Sequence, residues 1–146
     1  KNILHIKFHV FEKANNVGGT WRENRYPGVA CDAASFSYCY EFEPNPNWTH
    51  RFSGGGEIQQ YLERVAKKYH LHQWIQYETE VSKTEYIDGK WLVTTQSGQG
   101  QAVLDFDVVV AATGPLSQKK YPEIPGLDTC KGAMFHTADW DHDYQL

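Results

Sequence analysis

The sequence predicts an α/β fold, and three observations carry that expectation. Ile58, Tyr61, Leu62, Val65 and Tyr69 fall on one apolar stripe at helical spacing, which predicts a helix over residues 57–70. Residues 80–106 read as three short strands, separated by Asp88-Gly89 and then by Ser97-Gly98-Gln99-Gly100, the pattern of an antiparallel β-meander. Residues 107–112 form a continuous apolar run behind Asp107, as a buried parallel strand would, and Thr113-Gly114-Pro115 stops it.

The remaining elements follow in chain order. Residues 3–12 predict a strand ending in Glu12. An acid at the end of the second strand of a dinucleotide-binding unit is placed to hydrogen-bond a ribose hydroxyl, and Glu12 fits that role, with a Gly-Gly pair close behind it. A solvated strand-end carboxylate is the plainer alternative. Residues 16–32 contain Gly18, Gly19, Pro27 and Gly28, and predict a loop rather than a helix or strand. Paired glycines let a backbone approach a ligand closely, and Trp21 beside them is expected to pack on something flat. Phe36, Tyr38, Tyr40 and Phe42 alternate as a strand would, until Pro44 and Pro46 end the pattern. Ser53-Gly54-Gly55-Gly56 has neither GxGxxG spacing nor the lysine of a phosphate-binding loop, so it reads as a flexible loop with Ser53 or a glycine near the helix cap. Strands are expected at 80–87, 91–95 and 101–106. Ligands commonly bind at the carboxyl ends of parallel strands, which singles out Gly114 beyond residues 107–112.

Composition excludes several classes. A chain of 146 residues suggests one domain, and 40% hydrophobic residues suffice for a modest core. The net charge is −4 with lysines and arginines scattered, so no basic stripe points to nucleic acid. No apolar run approaches the ~18 residues of a membrane span, and the N-terminus is too charged for a secretory signal. Cys31, Cys39 and Cys130 match neither a disulfide framework nor a zinc pattern, which favours a reducing, cytoplasmic setting. His70 with His72, and His136 with His142, each lack a third ligand in sequence, and no metal site is expected.

The stretch CKGAMFHTADWD, residues 130–141, sets Gly132, His136 and Trp140 at four-residue spacing. Upstream lie VFEKANNVGGTW at 10–21, NRYPGVACD at 24–32 and NWTHRF at 47–52. In that order, these motifs resemble the flavin-dependent Baeyer–Villiger monooxygenases, whose fingerprint reads FxGxxxHxxxW followed by Pro or Asp. Cys130 stands where the family has its leading Phe.

The resemblance covers nearly the whole chain. It implies a partial FAD-binding Rossmann-like domain over residues 1–128, with the meander as an insert, and an interdomain linker carrying the fingerprint over 129–146. It implies FAD and NADPH as cofactors, dioxygen as co-substrate, and a small-molecule ketone or sulfide as substrate. By the same resemblance Gly19, Thr20 and Trp21 lie along the flavin, Tyr38 touches it, and Asp32 sits near its reactive ring, where it steadies an arginine later in the parent chain. Val81 offers its backbone to the adenine. His136 couples nicotinamide binding to domain movement, and Trp140 favours ketone oxidation over oxidation of nitrogen or sulfur. The family has one GxGxxG loop for FAD and a second for NADPH, and neither lies in this sequence. The expectation is therefore a piece of a monooxygenase, inactive alone and marginally stable. Two alternatives stay open: an N- or S-oxidising flavin monooxygenase, and a non-catalytic remnant. A flavin disulfide reductase would want a close redox cysteine pair, which Cys31 and Cys39 do not supply.

Overall fold

The computed structural model of the chain describes residues 6–116 and 118–145. The chain divides into two compact units, residues 1–17 with 66–112, and residues 18–65 with 113–146.

The five strands among the described residues all lie in the first unit. β1 (Val10–Phe11) pairs in parallel with β2 (Ile75–Gln76), Val10 opposite Ile75. The pairing continues where the Glu12 amide donates to the Gln76 carbonyl at 3.0 Å and the Thr79 amide donates to the Glu12 carbonyl at 3.0 Å. Of the strand expected at 3–12, residues 3–5 lie outside the described residues and residues 6–9 are not in a strand. Phe8 turns to the Trp74 ring, 5.3 Å between centroids, and His9 meets Phe106 edge-on at 5.5 Å, so side-chain packing rather than a ladder fixes this stretch.

β3 (Glu80–Ile87), β4 (Lys90–Ser97) and β5 (Gly100–Phe106) form an antiparallel sheet in the order β3-β4-β5. The first connection is a two-residue turn in which Asp88 (φ 50°) and Gly89 (φ 82°) both take positive φ. That conformation matches the twist of two adjoining strands, and an Asp-Gly pair adopts it at least cost. The register slips once, between Val81 and Lys83. Val93 and Thr95 on the central strand are buried, while β3 is exposed along its length. Lys90 Nζ closes the far end on Asp107 Oδ1 at 2.5 Å, and the bond holds the ammonium above its ordinary range.

The run after Asp107 departs from expectation. Residues 107–112 are in no strand, and Val108 and Val110 are 73% and 83% exposed. A parallel strand is defined by neighbours on its ladder, and no described strand pairs with this one.

α2 (Gly55–Lys68), of which residues 55–65 belong to the second unit, begins and ends two residues before the predicted helix. The Glu57 and Ile58 amides both donate to the Gly54 carbonyl, so a glycine does sit at the cap, while Gly55 and Gly56 belong to the first turn and not to the loop. Ile58, Tyr61 and Val65 on the α2 stripe are buried, as are Cys31, Ser35 and Ser53. The region expected to be all loop contains α1 (Thr20–Glu23), a single turn whose Asn24 side chain donates back to the Thr20 carbonyl. The aromatic alternation at 36–42 is not a strand. Ser35–Ser37 form a short 3-10 turn, and Tyr40 meets Glu43 in an isolated bridge. Phe36 and Phe42 are 79% and 63% exposed, so the alternation does not separate an inner from an outer face.

Candidate functional site

A buried serine pair anchors the turn at residues 35–37, next in sequence to the site residue Tyr38. The Ser35 hydroxyl lies 2.9 Å from the His50 carbonyl and 3.0 Å from that of Arg51, accepts the Ser53 amide at 2.9 Å, and touches Ser53 Oγ at 2.8 Å. This buried knot ties the NWTHRF segment to the turn at 35–37. A buried hydroxyl that is fully partnered holds its neighbours in one arrangement. Glu57, at the start of α2, accepts the Thr49 amide at 2.9 Å and the Thr49 hydroxyl at 3.0 Å. The Thr49 amide is the main cause that draws the Glu57 carboxyl below its ordinary range, against some desolvation.

Gly18 and Gly19 lead into α1, where the Trp21 amide donates to the Gly18 carbonyl and the Arg22 and Glu23 amides to that of Gly19. Gly19 has φ 47° and ψ −118°, a mirror-β conformation open to glycine, and nothing lies within 4 Å of where a Cβ would point. The Trp21 indole Nε1 donates to Tyr38 Oη at 3.0 Å, and the two rings meet edge-to-face with centroids 5.6 Å apart. Trp21 thus has an aromatic and hydrogen-bonding partner in Tyr38. Trp21 and Tyr38 border an open cavity of about 400 Å³, which Tyr40, Ile58, Tyr61 and Leu62 also line.

Tyr61 is the residue the sequence reading placed only in a helical stripe. It is 3% exposed, its hydroxyl donates to the Glu43 carbonyl at 2.8 Å, and it accepts the Tyr40 amide at 2.7 Å. Burial raises the phenol above its ordinary range, with the Tyr40 amide opposing. A tyrosine among aliphatic residues on a buried stripe was the available signal, since its hydroxyl must find partners.

Asp32 is exposed next to buried Cys31, and its carboxylate makes no hydrogen bond or ion pair among the described residues. Gly114 is exposed with φ 71°. In the fingerprint, His136 caps a 3-10 turn at Thr137–Asp139: its Nδ1 accepts the Ala138 amide at 3.0 Å. The Tyr121 ring meets the imidazole edge-on at 5.4 Å, and Lys119 Nζ bonds Asp139 Oδ2 at 2.5 Å. Trp140 packs edge-to-face on Phe135 at 4.6 Å and reaches Tyr26 of the NRYPG segment at 6.4 Å. The structure therefore brings Trp21 to Tyr38, and Trp140 to Tyr26.

Glu12 and Val81 lie in the other unit. Glu12 Oε1 accepts the Ala14 amide at 2.8 Å, closing the turn after β1. Val81 is 40% exposed on β3, opposite Thr95 and beside the slip in register. His72 Nδ1 lies 2.7 Å from Tyr77 Oη, and no cluster of three or more His, Cys, Asp or Glu among the described residues is arranged to hold a metal. No helix among the described residues is long and apolar enough to cross a membrane.

The sequence profile described as flavin-binding monooxygenase-like matches residues 5–145, and the chain belongs to that family. A Baeyer–Villiger monooxygenase of Streptomyces coelicolor is 49% identical over 143 residues, covering 95% of this chain and 26% of the relative. A cyclohexanone monooxygenase solved with ε-caprolactone bound superposes with a TM-score of 0.77 at 37% identity, covering 93% of this chain and 27% of that one. An oxidized steroid monooxygenase bound to NADP gives a TM-score of 0.74 at 38% identity, covering 92% of this chain and 26% of that one. This chain thus spans about a quarter of the length of the relatives it matches.

Proposed function

We propose that this chain is part of a FAD- and NADPH-dependent monooxygenase of the Baeyer–Villiger type. The observation that carries the reading is the Gly132, His136, Trp140 fingerprint, set in a chain 49% identical to a Baeyer–Villiger monooxygenase. The chemistry that a bound flavin supplies, with NADPH and dioxygen, is insertion of one oxygen atom beside a ketone carbonyl.

The residues present fit such a group. Open space beside Gly19 leaves room for a ligand to approach the backbone, and Trp21 and Tyr38 place aromatic surface at a cavity of about 400 Å³. In this reading Gly19, Thr20, Trp21 and Tyr38 hold the flavin and exclude water from it, while Asp32, exposed and uncommitted, is available to orient a cationic group. Gly114 sits after the apolar run, where it would admit a ligand. Glu12 serves the ribose and the Val81 backbone the adenine. The parallel pairing of β1 with β2 supports a Rossmann-like unit, and the β3-β4-β5 sheet supports a meander inserted into it. Residues 1–128 then form the FAD-binding part and 129–146 the linker toward a nicotinamide domain. The substrate is a small ketone, with sulfide oxidation a secondary activity.

The test is a transplant. This chain replaces the matching segment of the Streptomyces coelicolor Baeyer–Villiger monooxygenase, and flavin content and ketone oxidation are measured. Retained FAD with NADPH-dependent ester or lactone formation supports the reading. A flavin-loaded chimera that oxidises sulfides but no ketone would move the assignment to the heteroatom-oxidising branch. A folded chimera without flavin would remove the proposed cofactor roles.

A further inference from the structure

The fingerprint turn carries a device at a position that the motif leaves open. Asp139 occupies a variable place between His136 and Trp140, and its Oδ2 bonds Lys119 Nζ at 2.5 Å, twenty residues back along the chain. Between these partners in sequence lies Tyr121, whose ring meets the His136 imidazole edge-on at 5.4 Å. Two independent contacts thus pin the turn Thr137–Asp139 to the segment that leads into it, one through charge and one through an aromatic edge.

Their common effect falls on the imidazole. His136 Nδ1 accepts the Ala138 amide at 3.0 Å, so in this geometry the ring proton sits on Nε2 and that edge is the donor. The Asp139 amide donates to the His136 carbonyl at 2.8 Å, so the Asp139 backbone closes the turn on His136 while its side chain ties the turn to Lys119. We propose that Lys119, Asp139 and Tyr121 are positioning residues that hold the fingerprint turn closed, so that His136 presents its Nε2–H in a fixed direction. The inference rests on the proposed role of His136 in nicotinamide coupling. The bond lowers the Asp139 carboxyl and raises the Lys119 ammonium relative to their ordinary ranges, as a formed pair requires.

The test reads the turn itself and needs no turnover. Amide hydrogen exchange at Ala138 is measured by NMR in the 146-residue chain, and in Lys119→Gln, Asp139→Asn and the swap Lys119→Asp/Asp139→Lys. Each single variant is expected to speed Ala138 exchange about threefold, as an exposed ion pair allows, with amides of β4 unchanged. The swap restores protection, and Tyr121→Phe retains it where Tyr121→Leu does not. Added salt erases the difference between wild type and Asp139→Asn. Equal exchange in wild type and both single variants, or a swap that behaves like the singles, would overturn the proposal. So would faster exchange in β4 as well, since that reports general loosening. Ketone oxidation failing in the chimera while Ala138 follows this pattern would sink the functional reading alone and leave the positioning intact.

Discussion

Tyr61→Phe removes one oxygen atom from the most committed side chain of the site. The hydroxyl it deletes donates to the Glu43 carbonyl at 2.8 Å and accepts the Tyr40 amide at 2.7 Å. Each such bond contributes roughly 0.5–1.5 kcal/mol net, so losing both costs about 1–3 kcal/mol, less whatever water recovers at the half-open Glu43 side. The ring itself stays, and with it the packing against Trp48, whose centroid is 5.4 Å away. The assay is urea denaturation followed by helical circular dichroism, comparing midpoints at unchanged slope. Tyr61→Ala adds a cavity and should cost about 3–5 kcal/mol. A loss below about 0.5 kcal/mol for Tyr61→Phe, small beside the net value of two bonds, would refute the claim that this hydroxyl ties the 40–43 loop to α2.

Three further outcomes follow from the same geometry. Ser35→Ala strips a buried hydroxyl with four partners and should destabilise by about 1–3 kcal/mol, read by the same urea midpoint. Glu57 is held below its ordinary range by Thr49, so its contribution is complete above the unfolded carboxyl value of 4.5 and fades as pH falls through the lower folded value. The stability gap between wild type and Glu57→Gln should therefore close on acidification, as thermal melts over an acid series would register; a constant gap contradicts the Thr49 linkage. Gly19→Ala forces a Cβ into a mirror-β backbone at about 1–3 kcal/mol of strain, and the chimera carrying it should retain less FAD than its parent.

Much of the fold was legible where local chemistry decides it. The α2 stripe of Ile58, Tyr61 and Val65 defined a helix because burial and spacing agree. Asp88-Gly89 marked the first hairpin because few other pairs take two positive φ values in succession. Where partners decide, the sequence misled. Residues 107–112 have the composition of a buried strand, yet Val108 and Val110 lie exposed without a ladder. Phe36, Tyr38, Tyr40 and Phe42 alternate, yet Ser35–Ser37 take a 3-10 turn beside the Ser35 hydroxyl knot and Tyr40 meets Glu43 in an isolated bridge. A cap at Ser53 or a following glycine was legible too, and Gly54 fills it, but that Gly55 and Gly56 already belong to the helix was not, because three consecutive glycines read as a loop.

The site divides in the same way. That Trp21 would be packed was legible in the sequence, but its partner Tyr38, seventeen residues on, was not. The fingerprint could be recognised from Gly132, His136 and Trp140, but its support could not. Nothing in the local sequence of Lys119 and Tyr121 assigns them to Asp139 and His136, because those contacts exist only after the chain folds back on itself.

The measurement that bears most directly on the central claim is product analysis with the complete reading frame that contains this chain. The expressed protein is supplied with FAD, NADPH, dioxygen and a cyclic ketone, and the organic product is identified by mass spectrometry. The account predicts a lactone carrying one oxygen atom from labelled dioxygen, with NADPH consumed in equal amount. A flavin-loaded protein that oxidises NADPH and sulfides, yet leaves every ketone unchanged, would contradict it.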